Sequence, residues 1–255
     1  MAHWIRFSDR GVVGIGTLEG GQITVHQGDL FENPRPIGQT VELAAVKVLT
    51  PTVPGKMVAL VNNFRALVAK LNQPVPAEPL YFLKSPNSFL AHGETIRKPA
   101  SYAGKVVYEG ELGIVIGRRC AGISEADAAA HIFGYTCIND VTAAEILNKD
   151  PGFAQWTRAK GFDTFGVFGP VIATGLDPLK LSVKLVLNGD ERQNYPVTDM
   201  VFPPAALVSL ISQDMTLEPG DVIACGTSVG VGSMKPGSEV AVTIDGIGTL
   251  ANRYE

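Results

Sequence analysis

Apolar and polar positions along this chain alternate over short stretches and seldom keep helical spacing for long. Two such stretches, Gly11–Leu18 and Gln22–His26, flank Glu19-Gly20-Gly21, which predicts a β-hairpin. Thr50-Pro51-Thr52-Val53-Pro54-Gly55 breaks any regular element. A boundary there divides the chain into a small N-terminal β domain, residues 1–53, and a larger domain, residues 54–255. In the larger part Met57–Val61 reads as a short apolar strand. Phe64, Leu67, Val68 and Leu71 follow at helical spacing until Gln73-Pro74-Val75-Pro76 stops them. Val106–Ile116 predicts one long strand. Ser124–His131 predicts a short helix opened by Ser124 and Asp127, an Asp variant of the capping box. Phe133–Ile138 predicts a strand, and a helix is expected from Thr142. Val183–Leu187, Val222–Cys225 and Val240–Ile244 complete the strands, and Asp245-Gly246 marks a turn. Helices and strands alternate only loosely, so the expected fold is mixed α+β, β-rich and barrel-like, not a doubly wound nucleotide fold.

Composition narrows this further. A length of 255 residues suits one to two domains at about 150 residues each. With 45% hydrophobic and 18% charged residues the chain can fill a core, and 28 Gly with 17 Pro fit many turns and short strands. Net charge is −4 with no concentration of Lys and Arg, which argues against nucleic-acid or anionic-membrane partners. Apolar runs such as Met57–Val61 are far too short to span a bilayer. The N-terminus shows no apolar core followed by a cleavage site, so a cytoplasmic protein is expected. Cys120, Cys137 and Cys225 are odd in number and widely spaced, unlike a disulfide framework or a zinc site.

Two apparent motifs fail on context. Gly226-Thr227-Ser228-Val229-Gly230 matches G-x-S-x-G, but Val231-Gly232-Ser233-Met234-Lys235-Pro236-Gly237 cannot start the helix such a serine needs. The last histidine, His131, also precedes the serine, so a glycine-rich substrate loop is the better reading. Gly11–Gly16 is not a dinucleotide fingerprint, and no P-loop occurs. His3, His26, His92 and His131 never come in metal-ligand pairs; His131 ends a short helix, where a capping role suffices.

The candidate chemistry lies in carboxylates. Strand alternation over 105–116 puts Glu109 and Glu111 on one face, with Tyr108, Gly110, Leu112 and Ile114 at the other parity. Side-by-side carboxylates are tolerated when solvated, when one is protonated or when a cation sits between them. Phe133–Asp140 is an apolar stretch ending in Asp140. Because Thr142 and Glu145 form a capping box of their own, the Asp140 carboxylate is free for other work. Three carboxylates without His or Cys suit magnesium or manganese, calcium less well, and zinc or copper poorly. Spacing alone favours the plainer alternative, a solvated acidic strand and an unrelated Asp.

Glu109-Gly110-Glu111, Asn139-Asp140, Arg158-Ala159-Lys160-Gly161-Phe162-Asp163-Thr164-Phe165 and Gly226–Gly232 occur in that order, after Tyr81-Phe82-Leu83-Lys84-Ser85-Pro86-Asn87-Ser88. Together they resemble the fumarylacetoacetate hydrolase family, in its 2-hydroxyhepta-2,4-diene-1,7-dioate isomerase or acylpyruvase-like branch, over roughly residues 55 to 255. The resemblance implies a β-roll core, a divalent metal and a homodimer. It assigns Glu109, Glu111 and Asp140 as metal ligands and Lys160 to the substrate's 2-oxo oxygen. Thr227, following Gly226 in the glycine loop, would hold a substrate carboxylate through its hydroxyl or backbone. Arg65 is equally suited to a distal substrate carboxylate and to a solvated helix face. The implied reaction passes through an enolate that the metal and Lys160 stabilise.

One departure matters. Where many members carry Asn-Tyr-Arg-x-His with a Glu soon after, this chain has Asn63-Phe64-Arg65-Ala66-Leu67-Val68-Ala69-Lys70. Leu67 and Lys70 stand at the positions of the His and Glu that orient water; Glu94 or His92 are the available substitutes. The leading expectation is metal-dependent C–C cleavage of a small 2-oxo acid, by hydrolysis or decarboxylation. The close rival is a double-bond isomerase or keto–enol tautomerase acting on such dioates or on oxaloacetate, and the third reading is a non-catalytic metabolite-binding protein.

Overall fold

The computed structural model describes all 255 residues. Strands β1 (Ala2–Asp9), β2 (Val12–Glu19), β3 (Gln22–Gln27) and β4 (Arg35–Glu42) form a meander, and β5 (Lys47–Val48) returns to β1. The expected hairpin is present. Gly20 and Gly21 adopt φ +55° and +86°, a two-residue turn that side chains would strain. Ile5, Phe7 and Ile23 bury the inner face of this unit.

The larger part begins with β6 (Met57–Val61), α1 (Arg65–Lys70) and β7 (Leu80–Lys84), then β8 (Phe89–Leu90) and β9 (Thr95–Ile96). The expected long strand over 106–116 is two strands, β10 (Val106–Tyr108) and β11 (Gly110–Ile116), which join different sheets. The chain turns at Glu109, whose N–H donates to the Asn139 side chain at 3.0 Å instead of to a neighbouring strand. Helix α2 (Glu125–Ala128) is capped as expected, with the Ser124 hydroxyl accepting from the Asp127 N–H at 3.3 Å, and a 3₁₀ turn carries it to His131. Strand β12 (Ile132–Asp140) ends in Asp140 as expected.

The capping box at Thr142 is not formed. Thr142 and Ala143 make β13 (Thr142–Ala143) against β10, and α3 (Ala144–Leu147) starts two residues later without a side-chain cap. Glu145 instead accepts from the Tyr102 hydroxyl and the Lys105 N–H, and Thr142 turns to Glu109. Tertiary acceptors outcompete the local motif. The chain continues with α4 (Trp156–Lys160), β14 (Gly166–Thr174), β15 (Ser182–Leu187), β16 (Asp190–Pro196), α5 (Pro204–Asp214), β17 (Val222–Ala224), β18 (Gly232–Ser233), β19 (Glu239–Ile244) and β20 (Gly248–Tyr254). The expected Asp245-Gly246 turn joins the last two.

Twelve strands form one sheet along the path β4-β3-β2-β1-β14-β12-β11-β17-β6-β7, with β5 on β1 and β8 on β14. The N-terminal meander is thus an extension of the main sheet, joined where Ala2 faces Thr174. A five-stranded sheet, β16-β15-β19-β20-β9, and a three-stranded one, β13-β10-β18, complete a mixed α+β, strand-rich fold that does not close into a barrel. The main core includes Leu112, Ile114 and Ile116 of β11 together with Val183, Leu185, Val242 and Leu250 of the five-stranded sheet. Val115 packs into a second cluster with Met57, Phe82 and Ile138. All seven residues of β11 are buried, and that takes Glu111 out of water. No helix is long and apolar enough to cross a membrane.

Candidate metal centre and active site

Antiparallel pairing of β11 with β12 sets Gly110 opposite Asn139 and Glu111 opposite Ile138, which brings Asp140 beside both glutamates. The Asp140 N–H donates to the Glu109 carbonyl at 2.8 Å. One carboxylate oxygen from each of Glu109, Glu111 and Asp140 lies within 4.8 Å of the others. Glu111 and Asp140 are buried and Glu109 half-buried, so the solvated acidic strand is not what forms. The two glutamates meet across the turn between β10 and β11, not as neighbours on one continuous strand face.

Two lysines enter this cluster. Lys160, the last residue of α4, places Nζ 2.6 Å from Asp140 Oδ2 and 3.0 Å from Glu109 Oε2. Lys84, the last residue of β7, donates to Asp140 Oδ1 at 2.5 Å and to the Lys160 carbonyl at 2.7 Å. Lys160 Nζ also lies 5.4 Å from the centre of the Phe82 ring, which stacks on Trp156. Sequence reasoning assigned a role to Lys160 and none to Lys84. A readable sign existed: within Leu80–Lys84, Lys84 shares the buried parity of Phe82.

The centre's electrostatics follow from burial. Burial raises the Glu111 carboxyl well above its ordinary value; Asp140 and Glu109 add to the effect, against Lys160 and the Gly226 N–H. Burial also works against an ionised Asp140, but the two lysines outweigh it and hold that carboxyl below its usual range. For Lys160 the carboxylates overcome burial, so the ammonium is held above its ordinary value. Lys84 goes the other way: its complete burial lowers it, with Asp140 only partly offsetting.

The donor set fits a hard divalent cation. Opposite oxygen ligands of such an ion lie about 4–5 Å apart, and the three carboxylates bring no His or Cys with them. Glu111 Oε2 accepts from the Gly226 N–H at 2.8 Å, while Oε1 is buried without any partner, an acceptor left for a cation. The two lysines pair with Asp140 and Glu109 and leave Glu111 without an ion-pair partner, so a cation would favour the charged form that burial disfavours there.

The glycine loop reaches the same centre. Thr227 is not free to use its hydroxyl on a ligand: it donates to the Gly110 carbonyl at 3.0 Å and accepts from Gln193 at 2.8 Å. The Thr227 backbone N–H donates to nothing in the protein, the Ser228 N–H faces the Tyr195 hydroxyl, and the buried Ser228 hydroxyl has no partner. The Thr227 amide and the Ser228 hydroxyl are therefore the available donors for a carboxylate. No helix follows Ser228, since β18 does, and His131 lies against the Arg118 carbonyl, so no serine nucleophile assembles.

Arg65 opens α1, exposed and without an ion-pair partner. Two residues earlier the Asn63 amide donates to the Cys225 carbonyl at 2.8 Å, which seats the start of α1 against the loop. Leu67 packs on the main core, and Lys70 is exposed. Neither candidate substitute base is free. His92 Nδ1 accepts from the Ala251 N–H at 3.1 Å, and Glu94 pairs with Lys47 at 2.7 Å and accepts from the Ala91 N–H. Cys120, Cys137 and Cys225 are free and buried.

Comparison with known proteins matches this architecture. Residues 56–255 match the fumarylacetoacetate (FAA) hydrolase C-terminal family, and residues 2–51 match the Rv2993c-like N-terminal family. The chain is 35% identical over 225 residues to oxaloacetate tautomerase YisK of Bacillus subtilis, covering 83% of this chain and 74% of that protein. It superposes with a TM-score of 0.91 and 37% identity on 2-hydroxyhepta-2,4-diene-1,7-dioate isomerase of Mycobacterium marinum, covering 100% and 98% of the two chains. Maleylpyruvate hydrolase of Sphingobium, solved with manganese(II) and pyruvate, gives a TM-score of 0.81 at 26% identity, covering 99% and 98%. With its carboxylates, lysines and glycine loop carried on that fold, the chain belongs to the fumarylacetoacetate hydrolase family of enzymes.

Proposed function

We propose that this protein is a divalent-metal-dependent keto–enol tautomerase or double-bond isomerase of a small 2-oxo acid bearing a second carboxylate. The carrying observation is a buried centre of Glu109, Glu111, Asp140, Lys160 and Lys84 in a chain whose α1 carries Leu67 and Lys70 in place of a His and a Glu, with His92 and Glu94 engaged elsewhere. Tautomerisation and isomerisation need a stabilised enolate more than an activated water. The similarity to the tautomerase and to the isomerase supports the same reading.

Magnesium or manganese, held by Glu109, Glu111 and Asp140, would supply Lewis-acid stabilisation of negative charge on the substrate's keto oxygen. Manganese in the related hydrolase supports that choice, and calcium suits the same oxygen donors less well. Lys160, kept as an ammonium by its carboxylates, brings positive charge to the same oxygen and is not a base. The Thr227 amide and the Ser228 hydroxyl hold the adjacent carboxylate, and Arg65 takes the distal one. The carbon-bound proton exchanges with water. Strand β7, an open sheet edge with exposed Leu80 and Leu83, supports a homodimer as the working assembly.

A second reading, C–C cleavage of such an acid, is supported by the similarity to maleylpyruvate hydrolase. One time course separates the two. Oxaloacetate, acylpyruvates and ring-fission dioates are followed for enol absorbance and pyruvate together, with magnesium and with EDTA. EDTA-sensitive enol change without fragments supports the tautomerase or isomerase; pyruvate released in step with enol loss supports cleavage. Tight binding of a 2-oxo acid with no change in any substrate would instead favour a non-catalytic binding protein.

A further inference from the structure

We propose that Gln193 is a positioning residue that sets the distance between the carboxylate strand and the carboxylate-binding loop, and so controls substrate affinity independently of metal affinity. This rests on the reading of the Gly226–Gly230 loop as the substrate-carboxylate site.

Gln193 lies on β16, in the second sheet, yet its buried amide reaches both parts of the centre. Its Oε1 accepts from the Gly110 N–H at 2.9 Å, and Gly110 sits between Glu109 and Glu111. Its Nε2 donates to the Thr227 hydroxyl at 2.8 Å, the Ser228 carbonyl at 3.1 Å and the Val229 carbonyl at 3.3 Å. The Thr227 hydroxyl closes the circuit by donating to the Gly110 carbonyl. Only a side-chain amide offers an acceptor to one strand and two donors to another segment at once.

Two neighbours tighten the same bridge. Tyr195, at the same buried parity of β16, donates its hydroxyl to the Gly110 carbonyl and packs edge-on against Phe64 at the entry to α1. Gly230 has φ +102°, and a Cβ there would lie 2.1 Å from the Arg192 carbonyl oxygen. Only glycine lets the loop come this close to β16. The unpaired Thr227 amide is therefore aimed by Gln193, whereas the three carboxylates are held mainly by β11–β12 pairing, Lys84, Lys160 and the Gly226 N–H.

The test is calorimetry of oxalate, a non-reacting dicarboxylate, binding to the manganese-loaded protein, with manganese binding measured separately. Gln193→Met keeps length and removes every hydrogen bond. It is expected to weaken oxalate at least tenfold and manganese less than threefold. Thr227→Val is expected to do the same, and the double variant to bind oxalate no more weakly than either single one, because all three break one bridge. Thr227→Ser retains the hydroxyl and wild-type affinity. Unchanged oxalate affinity in Gln193→Met overturns the proposal, as does an equal loss of manganese and oxalate. If Gln193→Met does not fold, the Thr227→Val and Thr227→Ser pair decides by the same criteria. Wild-type protein that binds manganese but not oxalate overturns it too. Wild-type protein that binds oxalate yet turns over no 2-oxo acid overturns the proposed function and leaves this inference standing.

Discussion

Lys84 donates to Asp140 Oδ1 at 2.5 Å, with neither side chain exposed, although 56 residues separate them in the chain. The same ammonium holds the Lys160 carbonyl at 2.7 Å, so one lysine fixes a candidate metal ligand and the end of the helix that carries the other lysine.

Lys84→Met leaves Asp140 buried with half its compensation. Breaking such a buried pair costs about 3–5 kcal/mol. Thermal denaturation of the metal-free variant should show this loss, and saturating manganese should recover more stability for the variant than for the wild type. Turnover should fall at least a hundredfold; wild-type turnover and melting would remove Lys84 from the centre.

Glu109→Ala, Glu111→Ala and Asp140→Ala should each weaken manganese at least tenfold in a calorimetric titration and abolish turnover, because each removes one oxygen donor. Retained affinity in all three would sink the metal assignment.

Glu111 gives the metal-free protein a distinct pH dependence. Its carboxyl is raised in the folded state and ordinary, at 4.5, when unfolded. Its contribution to stability is therefore full below pH 4.5 and lost as pH rises through the raised folded value. Metal-free protein should lose stability over that window relative to Glu111→Gln, and saturating manganese should remove the loss. Manganese affinity should rise with pH over the same range, with proton release visible as buffer-dependent heat.

Leu67→His with Lys70→Glu places a base and its partner three residues apart on α1, on one helix face. General-base catalysis contributes roughly 10²–10⁴-fold. The double variant should release pyruvate from an acylpyruvate at least tenfold faster than the wild type, measured by coupled reduction. No gain would show that α1 does not face the reacting carbon.

Arg65→Ala should raise KM about tenfold for substrates with a second carboxylate and leave monocarboxylic 2-oxo acids unchanged. Equal effects on both would return Arg65 to the solvated helix face.

Much of this was legible from local pattern. The Gly20-Gly21 hairpin, the Ser124 cap, the Asp245-Gly246 turn and the position of Asp140 at a strand end are properties of a few neighbouring residues, and the structure contains them all. The carboxylates and Lys160 stood out because their types and order resemble a family, not because spacing demanded a site. Two local readings failed where distant groups competed. Val106–Ile116 breaks at Glu109 because its halves serve different sheets, and Thr142 leaves a capping role to bond Glu109.

The sequence by itself determined a strand-rich α+β chain, its turns and the acidic and basic residues available for chemistry, since period and turn chemistry act over a few residues. Tertiary structure alone decided that Asp140 lies beside Glu109, that Lys84 is part of the centre, that the Thr227 hydroxyl is already spent, and that Gln193 joins strand to loop. Those contacts are made across sheet register and between sheets, and their strength comes from burial, which no short stretch of sequence contains.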